Sequence, residues 1–400
     1  ATLVYRWRGR DAGVKPVALL AHQDVVPVAP GTESLWKQPP FGGVQADGFV
    51  WGRGALDNKS NVIAQLEAVE ALLRAGFQPR RDVYLVFGHD EEVGGRRGAL
   101  AVVAALQQRG VRLDFVLDEG MAVTEGILPG VARPIALIGL AEKGSVTLKL
   151  VAQAPPGHSS MPPAPGAGAV GMLAAALARL DAQRFPGGIR GVAGELFDVI
   201  APELPFGQRL AMSNLWLLRP LVEQMLAKGA ATNALMRTTT ALTIVQAGNK
   251  SNVLPGRAEA MVNFRILPGE TSASVLEQVR RIVADERLEI GIVETAFEPS
   301  AVASREAAAY RTVERAIREV FPDAVVAPGL TLQGTDSRHF DAVADQVYRF
   351  MPIRFRTEDL PRLHGTDERI AVDQLADMVR FYKRLLQLAA GAPPQEGKLP

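Results

Sequence analysis

Acidic and imidazole side chains follow the apolar runs of this sequence at the points where the runs end. The motifs are HQD after PVALLA, HDEE after VYLVFG, Asp118 and Glu119 after LDFVL, Asp57 after FVWGRGAL, and His364 in the later segment LPRLHGTDE. In open α/β sheets, the ligand crevice lies outside the carboxyl ends of the strands. Five separate segments would therefore bring carboxylates and imidazoles to one rim, where they could hold a metal ion.

Each motif has a simpler structural explanation when it is taken alone. A histidine and an aspartate two residues apart on a strand are more often a satisfied polar pair than two ligands. Acids after a strand are often the first turn of a helix, where the helix dipole favours them, and Asp57-Asn58 could cap a helix. However, the glycines of VGGRRG make a poor helix start. Five coincidences at strand ends together favour a metal site.

The ligand types indicate which cation this cluster would bind. Oxygen and imidazole ligands without sulfur suit zinc, with cobalt or manganese as substitutes, and the sequence contains no cysteine. The carboxylates are too many for one ion. We therefore predict two cations about 3.5–4 Å apart, bridged by a carboxylate and a hydroxide. One of the two adjacent glutamates would be a ligand, and the other would be free to take a proton from the bridging water.

The elements that must position these residues follow from the hydrophobic pattern. Up to about residue 140, strands that are apolar on both faces alternate with helical stretches, which predicts an α/β fold with a mostly parallel sheet. From residue 144, runs of period two and two helical stretches follow the order βαββαβ of a ferredoxin-like α+β domain. After about residue 299, the pattern of the first 140 residues resumes. We predict one domain formed by 1–143 and 299–400, with a second domain inserted at 144–298 and elaborated at about 185–237.

Composition excludes several classes of function. A net charge of +1 gives no long-range field for nucleic acid or for an acidic lipid surface. The sequence has no run of eighteen apolar residues that could span a membrane. The chain opens without methionine and inside a strand-like run, so we expect residues upstream. The compartment, cytoplasmic or exported, therefore stays open.

A larger set of motifs resembles a known family, the di-zinc aminoacylase and carboxypeptidase S peptidases. The matching stretches appear in family order: HQD, GRGALDNKS, FGHDEEVGG, LDEG, GHSS, NVLPG with VNFRILPGE, GTDSRHF and LHGTDE. The stretch TTTALTIVQAGNKSNVLP and the 185–237 elaboration are similar to the carboxypeptidase S branch. The resemblance implies a di-zinc catalytic domain and an inserted domain that serves as lid and dimerisation domain.

The resemblance also implies roles for the residues of the cluster. Asp57 would bridge the two zinc ions, with a cis peptide bond to Asn58. His22 and Asp118 would complete one ion, and Glu92 and His364 the other. Glu91 would be the general base. Asp24 would hold the imidazole of His22 by its second nitrogen, while His89, Asp90 and Glu119 receive no role.

Further roles fall on the inserted domain and on one later loop. His158 of GHSS would reach the active site of the partner subunit in a homodimer and stabilise the oxyanion, and Asn252 would help it. Arg265 would pair with the substrate carboxylate, and Gly334 would line the same pocket. The usual glycine pair before the histidine is Pro156-Gly157 here, and the proline stiffens this loop.

The predicted activity is hydrolysis of an amide that releases an amino acid with a free α-carboxylate. The substrate would be a small peptide or an N-acyl amino acid. An alternative within this class is the synthesis and hydrolysis of N-fatty-acyl amino acids, which the apolar segment from Leu215 to Leu218 favours slightly. For most of those residues, a lid helix packed on its own core is the better explanation. An alternative of a different class is a catalytically silent metal-binding regulatory module on this fold.

Overall fold

The structure is a computed structural model that describes residues 1–128, 130–293 and 296–391. The chain divides into two compact units. The first contains residues 1–141, 194–213 and 302–400, and the second contains residues 142–193 and 214–301. The segment 194–213, part of the predicted elaboration, thus groups with the first unit.

The first unit is built on a large, mostly parallel sheet. Within the described residues this sheet joins nine strands in the order β1-β5-β2-β6-β16-β8-β7-β17, with β15 paired to β8. Its centre, β5-β2-β6-β16, is parallel throughout. The strands are β1 (Leu3–Trp7), β2 (Val17–His22), β5 (Val83–Gly88), β6 (Leu113–Asp118), β7 (Val123–Glu125), β8 (Ile135–Glu142), β15 (Val325–Thr331), β16 (Ala344–Arg349) and β17 (Arg354–Arg356). The predicted α/β fold with a mostly parallel sheet is confirmed.

In its described residues, the first unit also contains a small antiparallel sheet and six α-helices. The small sheet has the order β18-β4-β3, formed by Arg369–Ala371, Phe49–Trp51 and Val44–Ala46. The helices are α1 (Lys59–Arg74), α2 (Ala99–Gln108), α4 (Gly191–Ile200, of which 194–200 belong here), α5 (Phe206–Ser213), α9 (Ala308–Val320) and α10 (Val372–Ala390).

Burial explains why the central strands read as continuous apolar runs. All six residues of β2 and all six of β5 are buried, as expected for strands that are covered on both faces. On one face, Val102, Val103 and Leu106 of α2 belong to the same core as Leu20 of β2 and Val86 of β5. This packing fixes the strands, so the side chains at their carboxyl ends are held by a rigid framework.

The second unit contains a four-stranded antiparallel sheet in the order β11-β13-β9-β14. Its strands are β9 (Gly144–Gln153), β11 (Thr239–Ala247), β13 (Arg257–Ile266) and β14 (Leu288–Ile292), and a short ladder pairs β10 (Gly157–His158) with β12 (Val253–Leu254). The helices are α3 (Ala169–Ala182), α6 (Leu215–Leu226), α7 (Ala230–Met236) and α8 (Ser272–Val283). Together, β9, α3, β11, β13, α8 and β14 follow the βαββαβ order that the sequence predicts.

Alternating burial along β13 shows how this unit forms its core. Every second residue, from Ala258 to Ile266, is buried, and these side chains join α3 and α8 in one hydrophobic cluster. Helix α8 begins at a capping box, in which the Thr271 side chain accepts a hydrogen bond from the Ser274 N–H. Residues 294–295 belong to the run RLEIGIVETAF, which the sequence pattern predicts as the last strand, and they lie outside the described residues. Along the described parts of the chain, no helix is long and apolar enough to cross a bilayer.

Candidate metal centre

His22, the last residue of β2, is the most buried member of the candidate centre. Its side chain is 2% exposed. The Nε2 atom lies 2.9 Å from Oδ1 of Asp57 and 3.1 Å from Oε1 of Glu119. The Nδ1 atom lies 3.0 Å from the backbone carbonyl oxygen of Asp24 and 3.4 Å from its Oδ1. His22 therefore presents one nitrogen to a group of carboxylates, while the residue two positions later holds the other nitrogen.

Asp57 lies between the two imidazoles and gives one oxygen to each. Its Oδ1 contacts His22, and its Oδ2 lies 3.1 Å from Nε2 of His364. His364 comes from a loop far along the chain and is half exposed. The peptide bond between Asp57 and Asn58 is cis, as predicted. Asp57 therefore presents one carboxylate oxygen to each of the two imidazoles.

The adjacent glutamates lie on a short 3-10 helix, Glu91–Val93, that begins three residues after the end of β5 at Gly88. Gly94 and Gly95 end this turn with φ angles of 101° and 66°, which side chains with a Cβ rarely adopt. The acids therefore do not begin a longer helix. Oε2 of Glu92 lies 3.4 Å from Nε2 of His364, and Oε2 of Glu91 lies 4.0 Å from Nε2 of His22.

Asp24 supports this turn as well as His22, although it lies beyond the end of β2. Its Oδ2 accepts a hydrogen bond from the backbone N–H of Glu92 at 3.0 Å. Burial alone would raise the pKa of Asp24, but the hydrogen bonds from His22 and from Glu92 outweigh it and lower the pKa. The sequence predicts Asp24 at the second nitrogen of His22, and two oxygens of Asp24 lie near that nitrogen, with the backbone carbonyl oxygen closer than Oδ1.

Glu119 lies beside His22, whereas the family resemblance implies its neighbour Asp118 as the ligand that shares an ion with His22. Asp118 is the last residue of β6, and its carboxylate accepts hydrogen bonds from the backbone N–H groups of Glu119 and Ser337, both at 2.9 Å. Successive side chains of a strand point to opposite faces, so at most one of two neighbouring acids is aimed at His22. The structure aims Glu119 there, and the ligand role of Asp118 stays a prediction.

The pKa shifts in the cluster arise because several carboxylates lie close together in a buried region. Burial, and then the negative charge of Glu119, raises the pKa of Glu91 to about 10. Burial, and then the charge of Asp57, raises the pKa of Glu119 to about 8. Hydrogen bonds to Asp57 and Glu92 raise the pKa of His364 to about 10. For Asp57, burial would raise the pKa, but His22 and His364 outweigh it and lower it.

The carboxylate and imidazole groups of these residues are suited to metal binding. His22, Glu91 and Glu119 form one group of potential ligands, and His22, Asp57 and Glu92 form another, with ligand atoms within 4.8 Å of one another in each group. Oε1 of Glu92 is buried and has no hydrogen-bond partner among the described residues. A cation among the acids would supply the missing partner, and it would favour their ionised forms.

The segment that carries Gly334 lies beside the glutamate turn. Gly334 is half buried in the loop between β15 and the 3-10 helix Asp336–Ala342. A Cβ built on Gly95 would lie 2.1 Å from Oδ1 of Asp336, so the carboxylate packs directly on the glycine. Burial, and then the charge of Asp118, raises the pKa of Asp336 to about 7. A pocket-lining role for Gly334 stays a prediction.

The second unit holds the other predicted site residues. His158 and Asn252 are exposed, and they are brought together where β10 pairs with β12. The N–H of Ser159 donates to the backbone oxygen of Asn252 at 3.1 Å, and Nδ1 of His158 lies 2.7 Å from Oγ of Ser160. Arg265 is half buried on β13, and burial lowers the pKa of its guanidinium.

Comparison with known families gives a match along most of the chain. The model of peptidase family M20/M25/M40 matches residues 18–388. N-fatty-acyl-amino acid synthase/hydrolase PM20D1 of Xenopus tropicalis is 43% identical over 386 residues, which cover 96% of this chain and 74% of the relative. Probable carboxypeptidase S-like 2 of Dictyostelium discoideum is 39% identical over 388 residues, with 96% and 74% covered.

Solved structures with low sequence identity share the fold. The M20 family metallo-carboxypeptidase Sso-CP2 from Sulfolobus solfataricus superposes with a TM-score of 0.69 at 18% identity, covering 97% of this chain and 87% of that chain. Human carnosine dipeptidase 1 superposes with a TM-score of 0.63, also at 18% identity, covering 97% and 83%. At this identity the likeness concerns the fold alone.

Proposed function

Because this chain belongs to peptidase family M20/M25/M40 and is therefore a metallohydrolase, we propose that it uses two zinc ions to release an amino acid from a small peptide or an N-acyl amino acid. The observation that carries this proposal is the position of Asp57, whose two oxygens face two different imidazoles. A carboxylate in this position suits a bridge between two cations. Cobalt or manganese would be chemically similar substitutes.

Each ion would have its own set of ligands around the shared Asp57. His22 and Glu119 would hold one ion, since Oε1 of Glu119 lies 3.1 Å from Nε2 of His22. Glu92 and His364 would hold the other, since their ligand atoms lie 3.4 Å apart. Asp118, which the family resemblance implies as a ligand, would instead orient the segment of Glu119 through its backbone hydrogen bonds.

Glu91 is our proposed general base. Glu91 lies near both His22 and Glu119. Its Oε2 is 4.0 Å from Nε2 of His22, whereas the oxygens of Asp57 and Glu119 lie 2.9 and 3.1 Å from that nitrogen. Bound zinc would supply polarisation of the amide carbonyl and a water of lowered pKa. Glu91 would accept the proton of the attacking water and then pass it to the leaving nitrogen.

We further propose that Arg265 selects substrates with a free carboxylate next to the scissile amide. A guanidinium matches a carboxylate through two parallel hydrogen bonds. His158, assisted by Asn252, would stabilise the developing charge on the carbonyl oxygen from the partner subunit of a homodimer. The exposed apolar side chains of the edge strand β11, such as Ile244 and Val245, support that strand as the pairing surface.

A lipophilic acyl group is the second candidate for the amino-terminal part of the substrate. Trp216 and Leu217 of α6 are 82% and 62% exposed, so these two are not packed in a core, whereas Leu215 and Leu218 are half buried. The PM20D1 relatives carry a fatty-acyl substrate in their name. Both observations support N-fatty-acyl amino acids as substrates.

Three leucine derivatives would separate the candidates, because they share the same product. We would compare turnover of Gly-Leu, N-acetyl-leucine and N-lauroyl-leucine with added zinc, and use N-acetyl-leucine amide as the control without a carboxylate. The proposal expects hydrolysis of at least one acid and none of the amide control. Preference for the lauroyl compound supports the fatty-acyl candidate. Failure to release leucine from any of the acids would contradict the proposed function.

A further inference from the structure

A buried ion pair lies behind the candidate metal centre and has no place in the mechanism above. Arg53 and Glu368 have side chains that are 2% and 1% exposed, and Nη1 of Arg53 lies 2.6 Å from Oε2 of Glu368. The two residues are 315 positions apart in the sequence. Arg53 lies four residues before Asp57, and Glu368 lies four residues after His364.

Glu368 holds the backbone of the segment that leads to Asp57. Its Oε1 accepts hydrogen bonds from three backbone N–H groups, those of Gly54, Leu56 and Asp57, at 3.0, 2.9 and 3.0 Å. Its own backbone oxygen accepts a hydrogen bond from the N–H of Gly52 at 3.0 Å. One carboxylate thus fixes the direction of the backbone immediately before the cis bond.

Arg53 holds the segment that carries His364 in the same way. Its Nη2 donates to the backbone oxygens of His364 and Gly365 at 3.1 and 2.9 Å. The guanidinium also lies over the ring of Trp36, 5.3 Å from its centroid. His364 has a φ angle of 58°, a conformation that residues other than glycine adopt rarely. His364 lies in a turn, outside any strand or α-helix. The Gly365 N–H donates to the Arg362 backbone oxygen at 3.0 Å across this turn, and the two hydrogen bonds from Arg53 add to that restraint.

Stability alone is a poor explanation for such a pair. Removing two charges from water costs several kcal/mol per ion, and well-packed apolar residues often replace a buried ion pair without loss of stability. Here, however, six side-chain hydrogen bonds join two loops that are distant in sequence. An apolar pair could fill the same volume but could not orient these amide and carbonyl groups.

We propose that the Arg53–Glu368 pair is a positioning device that sets the separation of Asp57 and His364, and so tunes metal binding without touching a metal. This inference rests on the proposed function only in that Asp57 and His364 bind metal. Groups behind metal ligands typically affect metal affinity or activity by about 10–100-fold. A lysine at position 53 would keep the charge, but it could not reach Glu368 and two carbonyl oxygens with the fixed fork of a guanidinium.

The experiment measures zinc affinity by competition with a chromophoric chelator, independently of catalysis. The variants are Arg53→Lys, Glu368→Gln and Glu368→Asp, and the matched control is Arg354→Lys. Arg354 also bridges two carboxylates of the first unit, Glu125 and Asp323, both at 2.7 Å. We expect zinc affinity to fall by about 10–100-fold in Arg53→Lys and Glu368→Gln and to stay at the wild-type level in the control. Circular dichroism and urea midpoints show whether each variant folds.

Several outcomes would overturn the proposal. A folded Arg53→Lys or Glu368→Gln variant with wild-type zinc affinity would show that the pair does not position the ligands. If none of the three variants folds, or if affinity falls only in step with the urea midpoint, the pair is a stability element instead. Wild-type protein that binds zinc but hydrolyses none of the leucine acids would contradict the proposed function, and the affinity series would still test the pair.

Discussion

Oε1 of Glu119 lies 3.1 Å from Nε2 of His22, at the edge of the parallel sheet where the predicted metal ligands meet. The carboxylate of Asp118, one residue earlier, is engaged by the backbone N–H groups of Glu119 and Ser337. The Glu119 carboxylate thus faces His22, whereas the Asp118 carboxylate accepts hydrogen bonds from the backbone.

Replacement of the carboxylate by an amide should therefore lower zinc affinity by different amounts at these two positions. We expect Glu119→Gln to lower zinc affinity by at least about 10-fold, because a neutral amide is a poor zinc ligand. Asp118→Asn keeps an oxygen that can accept a backbone hydrogen bond, so a smaller loss is expected. Zinc competition with a chelator measures both. The reverse order would assign the ligand role to Asp118, as the motif alone implies.

Replacement of Glu91 by glutamine should separate catalysis from metal binding. We expect Glu91→Gln to retain both metals and to lose turnover by several orders of magnitude, because the amide cannot accept the proton of the attacking water. Metal analysis and steady-state kinetics check the two parts. Glu92→Gln is the comparison, since the loss of a ligand should lower the metal content. A near-normal rate of Glu91→Gln would remove Glu91 from the role of general base.

The strand-end pattern made part of this site predictable, because an α/β sheet delivers the carboxyl ends of parallel strands such as β2 and β5 to one edge. His22, Asp57, Glu92 and His364 meet there, as the sequence suggests. Asp57, which follows the small antiparallel sheet, and His364, in a loop, were predictable from the family motifs instead. Which of two adjacent acids faces His22 was not predictable, because it depends on the contact between Asp118 and Ser337, 219 residues apart.

The Arg53–Glu368 pair was also not predictable from the sequence. Both residues lie inside motifs that were recognised for their neighbours, GRGALDNKS and LHGTDE. A charge in a loop is usually exposed, so burial of both partners can be seen only after the two loops are placed together. Hydrophobic periodicity carries no information on such long-range polar contacts.

A buried lysine of the second unit should make the stability of the chain depend on pH. Lys143 is 1% exposed, and its Nζ donates to the backbone oxygens of Ala234 and Arg237 at 3.0 and 2.8 Å. Burial lowers its pKa from 10.5 to about 8. Between these values the unfolded chain holds a proton that the folded chain lacks, so the free energy of unfolding rises with pH across this window.

The expected rise for Lys143 between pH 8 and pH 10.5 is at most on the order of 3 kcal/mol. Lys143→Met has no proton to release and should lack this contribution. Urea unfolding of both proteins at several pH values measures the difference. Parallel curves for the wild type and Lys143→Met would show that Lys143 does not titrate in this window.

Arg265 should act on substrate selection more than on the chemical step. We expect Arg265→Met to raise KM for N-acetyl-leucine by about 10-fold or more, since a charge-assisted hydrogen bond contributes about 1.5–3 kcal/mol. Zinc affinity should not change. An unaltered KM for N-acetyl-leucine would exclude the carboxylate contact.

Subunit mixing tests whether His158 acts in the active site of the partner in a two-fold dimer. Glu91→Ala and His158→Ala chains are each expected to be nearly inactive alone. After exchange, half of the dimers are mixed, and in each of them one site combines an intact Glu91 with an intact His158 from the other chain. About a quarter of all sites should therefore recover. If His158 served its own chain, every site would keep one lesion and no activity would return. A nearly active His158→Ala enzyme would show that this histidine only supports its loop.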